Sequence, residues 1–202
     1  MDKKEKILDA LQSLFEEGRG GTASVSEIAK KAGIAKGGMY YYFRSKEEVL
    51  DALVERQYQN IISECEAFIR EDSGNALKRL ALFIEKYRSL TRVSTLDECL
   101  HAPQNAAIHQ KSLAKITEAL SPIISSLIEQ GIDEGLFKCS YPQEYAEIIL
   151  SVFTYLLDPG IFHWTLLQQL NKMKALADLI EKGLSAPEHS FDFLYAPASL
   201  KY

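Results

Sequence analysis

The sequence predicts an all-α protein, and three observations support this fold class. Apolar residues recur at the three- and four-residue spacing of one helix face through most of the chain. No stretch shows the sustained alternation of apolar and polar residues that a half-buried strand would show. Segments rich in glycine, proline and polar residues separate the apolar stretches, so we predict about nine helices.

The first two helices are marked by their apolar faces and by their ends. The first helix, of about 15 residues, carries apolar residues from Ile7 to Phe15 and ends at a glycine-rich stretch. Ser24 and Glu27 have the spacing of a capping box, in which each side chain accepts the backbone N–H of the other residue. This pair predicts the start of the second helix, and Gly33 predicts its end.

A short segment lies between the second helix and a long one. Ser45 and Glu48 repeat the capping-box spacing and predict a helix that runs to about residue 70. Before it lies AKGGMYYYF, residues 35–43, whose adjacent glycines each cost a helix about 1 kcal/mol relative to alanine. Three short helices with a glycine-containing turn after the second predict a helix-turn-helix, whose third helix enters the major groove of DNA.

The remainder of the chain is predicted to form a larger helical body. Its helical blocks cover residues 74–91, 94–100, 105–134, 142–157 and 161–183. The last two blocks are apolar around much of their circumference, which indicates burial on more than one side. The tail after residue 185 contains several aromatic residues and two prolines, and two alternatives stay open for it: docking onto the body, or mobility.

Charge is distributed unevenly along the chain. The 202 residues carry a net charge of −5, which by itself argues against binding to nucleic acid. Residues 19–46, however, contain six basic residues and the single acid Glu27, so this segment carries +5 and the rest carries −10. Only the basic segment is suited to phosphate groups.

Several other classes of protein are disfavoured. Cys65, Cys99 and Cys139 form no C-x-x-C pair, and we predict three buried, reduced thiols. The N-terminus has no signal peptide and no run approaches the roughly 18 apolar residues of a membrane span, which favours a cytoplasmic protein. His101 and His109 do not fit a metal-binding spacing. We expect no metal, no cofactor and no catalytic residue, and therefore no enzyme.

The segment SVSEIAKKAGIAKGGMYYYFRSKEEVLDAL, residues 24–53, closely resembles the DNA-binding segment of TetR-family transcriptional regulators. The residues that match the family's pattern are Phe15, Gly18, Val25, Ile28, Ala29, Ala32, Gly33, Gly37, Tyr40, Tyr42, Phe43, Lys46 and Leu50. The resemblance implies a DNA-binding domain at residues 1–46, an effector-binding and dimerisation domain at 47–185, and a tail at 186–202. It further implies a homodimer that binds a pseudo-palindromic operator, commonly as a repressor, until a small molecule tilts the long fourth helix.

Eight residues are the expected contacts with DNA, and four of them, Gly37, Tyr40, Tyr42 and Lys46, belong to the match with the family. The eight are Ser26, Lys36, Gly37, Gly38, Tyr40, Tyr41, Tyr42 and Lys46. The two glycines would let the backbone approach the DNA closely. Lys36 is the best candidate for a base contact, and Lys46 matches the family's phosphate-contacting lysine. Tyr40 and Tyr41 are candidates for phosphate hydrogen bonds or for contacts with thymine methyl groups.

Two positions depart from the family's pattern. Ala35 stands where serine or threonine is usual, and alanine cannot cap a helix. Gly38 stands where the family more often carries a residue able to contact bases. We therefore expect the recognition helix to be frayed in the free protein and to become ordered on DNA, with fewer base contacts and a greater dependence on phosphates than is usual for the family.

The body is expected to hold an effector site and a dimer interface. The expected effector residues are Tyr58, Ile62, Phe83, Tyr87, Cys99, Phe153 and Tyr155, each of which could instead be ordinary core. The expected dimer residues are Val152, Leu156, Trp164, Leu167 and Leu170, on two helices that would pair across a two-fold axis. The alternative function is a helical adaptor or ligand-binding protein that does not bind specific DNA sequences. The residues identify neither the effector nor the operator.

Overall fold

We describe the fold from a computed structural model of the chain, which describes residues 2–91 and 96–196. Within these ranges the secondary structure is nine α-helices and no strand, which confirms the predicted fold class. The helices are α1 (Lys3–Glu16), α2 (Val25–Lys31), α3 (Lys36–Tyr42), α4 (Lys46–Glu71), α5 (Ala76–Thr91), α6 (Asp97–Leu100), α7 (Ala106–Asp133), α8 (Pro142–Ser151) and α9 (Leu166–Leu184). Short 3₁₀ turns at Pro103–Asn105 and Asp192–Leu194 and a π turn at Val152–Leu156 complete the secondary structure.

The predicted capping signals account for both ends of α2 and for part of the start of α4. The Ser24 hydroxyl accepts the backbone N–H of Glu27, and the Glu27 carboxylate accepts that of Ser24, as the capping box predicts. Gly33 follows α2 with a φ of +68°, a left-handed conformation that glycine adopts without strain. At α4 the box is only half formed, because the Glu48 carboxylate accepts the N–H of Arg44 instead of that of Ser45.

The predicted block at 161–183 is wrong at its start, because α9 begins only at Leu166. Thr165 and Gln168 form a capping box that fixes this start, and the sequence interpretation overlooked it. The preceding loop is held by Asp158, whose carboxylate accepts two backbone N–H groups of the loop. The predicted block at 94–100 begins outside the described residues.

Packing divides the chain into two compact units. Among the described residues the first unit comprises 2–60 and 96–112, and the second comprises 61–91 and 113–196. Helices α4 and α7 contribute residues to both units. This division describes packing alone, and the functional division at residues 46 and 185 remains a prediction.

The first unit has a continuous apolar core. Its buried residues include Ile7, Leu11, Leu14, Phe15, Ile28, Ala29, Met39, Phe43, Val49, Leu50, Leu53, Leu96 and Leu100. The last two of these come from the segment after residue 95 and complete a core that is otherwise built by α1 to α4. This long-range contribution is not visible in the sequence pattern.

A single arginine joins α4 to α1 at the edge of this core. The Arg56 guanidinium donates to Glu5 at 2.9 Å, to Asp9 at 2.8 Å and to Gln12 at 2.9 Å. The three partners lie three or four residues apart and therefore share one face of α1. The Arg56 side chain is only 19% exposed, so these charge-assisted bonds are partly shielded from solvent.

The second unit is built around α7 and includes part of the tail. Gly131 lies on α7 against the buried ring of Phe137, and a Cβ atom at Gly131 would lie 2.1 Å from that ring. The Phe137 ring in turn lies 6.0 Å, centre to centre, from the ring of Phe191 in the tail. Glycine is therefore required at position 131 for α7 to approach Phe137.

The described part of the tail, residues 186–196, docks through its aromatic and apolar residues. Phe191 and Leu194 are buried, and the Arg88 side chain donates to the backbone carbonyls of Phe193 and Leu194. The Phe191 N–H donates to the Glu181 carboxylate at 3.0 Å. Of the two alternatives for the tail, docking therefore holds for these residues, while Pro197 and the residues after it lie outside the described part.

The cysteine prediction is correct for one residue of three. Cys65 is fully buried, and burial raises the pKa of its thiol to about 11. Cys99 and Cys139 are only half-buried, and all three thiols are free. Burial also raises the pKa of the Cys99 thiol above its usual value. None of the described helices is long and apolar enough to cross a bilayer.

Replacing Arg56 with methionine should destabilise the protein. The variant keeps an apolar stem but loses three hydrogen bonds, which we expect to lower the free energy of unfolding by about 1–2 kcal/mol. For a chain of this size the melting temperature should fall by about 2–8 °C in thermal unfolding followed by circular dichroism. Arg70→Met is the matched control, because Arg70 is exposed and its one ion pair among residues 2–91 and 96–196 is with Glu66 at 3.5 Å. Equal losses in the two variants would contradict the bracing role of Arg56.

Two glycine-to-alanine substitutions should change stability in opposite directions. Gly131→Ala places a Cβ atom into the Phe137 ring and should destabilise the protein by about 1–3 kcal/mol. Gly37→Ala, also within a helix, meets open space and should stabilise it by up to about 1 kcal/mol through helix propensity. Urea unfolding of both variants beside the wild type measures these differences, and a destabilised Gly37→Ala protein would contradict the packing described for α3.

Candidate nucleic-acid interface

Helix α3, the predicted recognition helix, is held in place by its inner side. Met39 is 1% exposed and Phe43, directly after the helix, is 3% exposed. Both belong to the core of the first unit, as the sequence predicts for them. Helix α3 also packs against α2, so the two helices form the expected helix-turn-helix.

The three tyrosines of α3 lie in different environments. Tyr41 is 84% exposed and Tyr40 is 48% exposed, whereas Tyr42 is half-buried and packs against the core. The rings of Tyr41 and Tyr42 meet edge to face, with centres 5.0 Å apart. Successive helical residues point about 100° apart, which explains why the three cannot share one face.

The glycines of α3 are not required by the packing of the chain. A Cβ atom added at Gly37 or at Gly38 would have no neighbour within 4 Å. Both residues are exposed and helical, so they lower helix stability without any gain in packing. Ala35 precedes the helix and provides no capping hydrogen bond, as its side chain predicts. The first turn of α3 therefore presents bare backbone to the solvent.

A carboxylate outside the basic segment neutralises part of its charge. Glu17 forms ion pairs with Lys31 and, at 2.6 Å, with Arg19. Hydrogen bonds from Lys31 and Arg19 hold the pKa of the Glu17 carboxyl below its usual value. Two of the six cations counted between residues 19 and 46 are thus paired locally, which the charge count alone did not reveal.

The remaining cations are available to a partner. Lys30, Lys36 and Arg44 are exposed, and their side chains form no ion pair within the described part of the chain. The half-buried Lys46 donates one hydrogen bond to the carbonyl of Gly21 at 2.6 Å. An ammonium group has three hydrogens, so this bond fixes Lys46 beside the turn before α2 and leaves two donors for a phosphate.

Ser26, the last predicted contact outside α3 and α4, is the second residue of α2 and is exposed. Its neighbours Ser24 and Glu27 are engaged in the capping box, which fixes the start of this helix. Hydrogen bonds with Ser24 hold the pKa of the Glu27 carboxyl below its usual value. Ser26 is therefore a hydroxyl group on a rigid helix start, able to donate to a phosphate or a base.

The predicted effector residues divide between the two units. Tyr58 and Cys99 pack against the core of the first unit, and the Asn105 amide donates to the Cys99 carbonyl at 2.7 Å. In the same unit the rings of His101 and His109 lie 5.0 Å apart. The core contacts account for the burial of Tyr58 and Cys99, and their role in binding an effector remains a prediction.

The other five predicted effector residues belong to the second unit. Phe83 is fully buried, Tyr155 is exposed, and Ile62, Tyr87 and Phe153 are half-buried. None of the five lines the open cleft of about 660 Å³ that this unit carries. That cleft is formed by Ile132, Gly135, Phe137, Lys138, Cys139, Ser140, Tyr141, Tyr145 and Gly183. Eight of these nine residues lie between positions 132 and 145, and Gly183 closes the cleft from α9.

The predicted dimer residues are partly exposed in the single chain. Leu167 is 66% exposed and Leu170 is 37% exposed. Val152, Leu156 and Trp164 are half-buried. The Trp164 indole donates to the Leu156 carbonyl at 2.8 Å, so these two residues also brace the loop before α9.

The helices α8 and α9 each bury one apolar face and expose another. The expectation of burial on more than one side therefore fails within the single chain. Besides the predicted residues, large exposed apolar side chains occur at Ile148, Tyr155, Leu166 and Leu179. Exposed apolar area of this extent on a folded chain is typical of a surface that contacts another molecule.

Two families of known sequences match this chain. Residues 7–53 match the family described as "Bacterial regulatory proteins, tetR family". Residues 90–179 match the family described as "Tetracyclin repressor-like, C-terminal domain". The first match covers α1 to α3 and the start of α4, and the second covers α6 to α8 and most of α9.

Individual relatives extend along most of the chain. The fatty acid metabolism regulator protein of Bacillus subtilis is 26% identical over 193 residues, which are 93% of this chain and 96% of the relative. The HTH-type transcriptional repressor NemR of Escherichia coli is 26% identical over 161 residues, which are 75% of this chain and 80% of the relative. The crystal structure of Bacillus subtilis FadR in complex with stearoyl-CoA has the same fold, with a TM-score of 0.57 at 24% identity over 89% of this chain and 98% of that one.

These matches agree with the resemblance carried by residues 24–53. The relatives are transcriptional regulators, so the prediction that the chain is not an enzyme is confirmed. The helix-turn-helix, its exposed recognition helix and both family matches lead to one conclusion. The chain belongs to the TetR family of transcriptional regulators.

Proposed function

We propose that this protein is a homodimeric repressor that binds a pseudo-palindromic operator and is released from it by a small molecule. The observation that carries the proposal is the outer side of α3, where Tyr40 and Tyr41 are exposed beside two bare glycines. Its inner side is locked into the core through Met39. A helix that is fixed to the core on its inner side, and that presents exposed tyrosines and bare backbone on its outer side, suits the major groove.

Three further proposed contacts lie at helix starts. Lys36 lies at the start of α3, and Lys46 and Ser26 lie at the starts of α4 and α2. Helix starts carry unpaired backbone N–H groups and a positive dipole end, which favour anions. We therefore assign the predicted phosphate contacts to Ser26 and Lys46, and the predicted base contacts to Lys36 and the exposed tyrosines.

Dimerisation is supported by the exposed apolar side chains of α8 and α9. Leu166 is 85% exposed, Leu167 and Leu170 are exposed beside it, and Ile148 is exposed on α8. Leu167 and Leu170 are three residues apart and share one helix face. A symmetric contact between two such faces would bury this area and place two recognition helices on one operator.

Release by an effector requires that movement in the body reaches the recognition helix. The first half of α4 and residues 96–112 both pack in the unit that contains α3. Leu96 and Leu100 contribute directly to the core in which Met39 is buried. We infer that an effector acts through these two segments, by changing how α4 and the 96–112 segment support α3.

The chemical class of the effector is open, and one relative provides the first compound to test. The FadR structure of Bacillus subtilis contains stearoyl-CoA. The fatty acid regulator of the same organism aligns with 93% of this chain. Stearoyl-CoA is therefore the first effector to test for release of bound DNA, followed by smaller apolar compounds.

Selection of bound DNA distinguishes the proposed regulator from the alternative function, a helical adaptor without sequence-specific DNA binding. Purified protein is mixed with fragmented source-genome DNA, and bound duplexes are selected and sequenced at low and moderate salt. Enrichment of a pseudo-palindromic sequence supports the regulator. Uniform binding that disappears at moderate salt supports the adaptor, since nonspecific binding rests on phosphates alone.

Replacing Tyr41 with alanine should weaken binding to the selected operator by about tenfold, because a side chain in contact with DNA contributes roughly 1–3 kcal/mol. Tyr141→Ala is the matched control, since Tyr141 is also highly exposed but lies in the second unit. Fluorescence anisotropy with a labelled operator measures both affinities. An unchanged affinity for Tyr41→Ala would remove Tyr41 from the interface.

Replacing Leu167 with glutamate should convert a dimer into a monomer. A charge on the exposed apolar face of α9 would have to be buried without a partner in the dimer. Light scattering should then give a mass near 22.7 kDa instead of twice that value. Ala67→Glu, on an exposed position of α4, is the control and should leave the mass unchanged. A dimeric Leu167→Glu protein would contradict the proposed interface.

A further inference from the structure

The outer side of α3 has an unusual order of side chains. Successive helical residues point about 100° apart, so Gly37 lies on the side of α3 opposite the buried Met39. Tyr40 and Tyr41 lie one turn after Gly37, one on each side of it. Lys36 and Gly38 lie at the two edges. The first turn is therefore bare in its centre, and the second turn carries two exposed tyrosines.

This helix has a single side chain that can read a base through paired hydrogen bonds. Arginine or lysine pairs with guanine, asparagine and glutamine pair with adenine, and acidic residues accept from cytosine. Of these residue types the α3 sequence KGGMYYY contains only Lys36. Direct hydrogen-bonded readout by α3 is thus confined to Lys36 and the tyrosine hydroxyls.

A different base feature fits this surface. The C5-methyl group of thymine projects into the major groove and is the one apolar group that distinguishes a base pair there. Such a methyl group needs an apolar surface that comes within van der Waals distance. The Cα atoms of Gly37 and Gly38, with no neighbour within 4 Å of either Cβ direction, and the faces of the exposed tyrosine rings provide that surface.

We propose that α3 recognises its operator mainly through thymine methyl groups, which pack against the bare turn at Gly37 and Gly38 and against the rings of Tyr40 and Tyr41. This inference rests on the proposed function and names the feature of the operator that the recognition helix reads. It predicts thymine at one or more positions of each half-site.

The ring of Tyr41 is held ready for such a contact. It meets the Tyr42 ring edge to face at an interplanar angle of 80°, and Tyr42 is itself packed against the core. An aromatic neighbour in this geometry favours a single orientation of the exposed ring. Tyr42 is therefore a positioning residue for Tyr41 and needs no contact with DNA for this role.

The competing reading is that the exposed tyrosines bond phosphates through their hydroxyl groups. Two chemical changes distinguish a hydroxyl contact with phosphate from a ring contact with a thymine methyl group. Tyr41→Phe removes the hydroxyl and keeps the ring, so it should weaken binding only if the hydroxyl bonds a phosphate. Replacing thymine with deoxyuridine removes one methyl group and keeps base pairing, so it should weaken binding if the methyl group is read or if its loss alters the stiffness of the DNA, two causes that the Gly37→Ala variant separates.

The experiment uses the operator selected from genomic DNA and the full-length protein. Each thymine of one half-site is replaced in turn by deoxyuridine, and affinities are measured by anisotropy for wild type, Tyr41→Phe and Gly37→Ala. We expect wild type to lose about fourfold in affinity at one or more thymines, the factor that corresponds to burying one methyl group. Tyr41→Phe should bind about as tightly as wild type and show the same losses.

The Gly37→Ala variant tests whether the affinity lost on deoxyuridine substitution comes from a thymine methyl group that packs at position 37 of α3. It has a helix at least as stable as wild type, yet its extra methyl group occupies the space of the thymine methyl. It should bind the thymine operator more weakly, and at one thymine the loss caused by deoxyuridine should shrink toward none. A loss that persists unchanged at every thymine would arise from altered DNA stiffness and would overturn the proposal.

Two other outcomes are distinguishable. If an operator is selected but deoxyuridine has no effect at any thymine, or Tyr41→Phe alone weakens binding, the methyl readout is wrong and the repressor proposal stands. If no sequence is enriched at either salt concentration, the proposed function fails, and the inference fails with it.

Discussion

The burial of Met39 and Phe43 is the interaction on which the DNA-binding surface depends. Helix α3 has seven residues, two glycines in its first turn and no capping side chain, so it is too short and too weak to persist alone. Its inner side is fixed by two side chains that are almost inaccessible to solvent. The core therefore supplies the order that the helix sequence does not, and the outer side is free to have whatever composition the DNA contact requires.

Because α3 depends on the core for its order, the helices around it must themselves be held firmly in position. The Arg56 cluster fastens α1 to α4, the Ser24 capping box fixes the start of α2, and Lys46 fastens α4 to the turn at Gly21. Residues 96–112 add Leu96 and Leu100 to the same core. Residues 96–112 are thus part of the support of α3, and under the proposed function this support is the route by which an effector would alter DNA binding.

Local signals predicted most of the helices, and the failures have physical causes. The Ser24 box and the turn at Gly33 are determined by residues a few positions apart, so the sequence pattern is enough to recognise them. The Thr165 box was missed because it uses glutamine at the third position inside an apolar run. Long-range contacts, such as Leu96 in the N-terminal core or Glu17 beside Lys31, depend on the folded chain and leave no mark in local spacing.

The described part of the chain exposes two kinds of apolar surface. The polar groups beside each surface differ, and this difference indicates which kind of partner each surface suits. Tyr40 and Tyr41 lie on a helix that begins with a lysine, and their rings end in hydroxyl groups, so this surface can meet both phosphates and bases. Leu167 and Leu170 carry no polar tip and repeat along one helix face, which suits a second protein surface that excludes water. DNA, a charged polymer, would gain little binding free energy from contact with the leucines. A protein interface would gain little binding free energy from two glycines that have no side chains. We therefore propose different partners for the two surfaces, DNA for α3 and a second protein chain for α9.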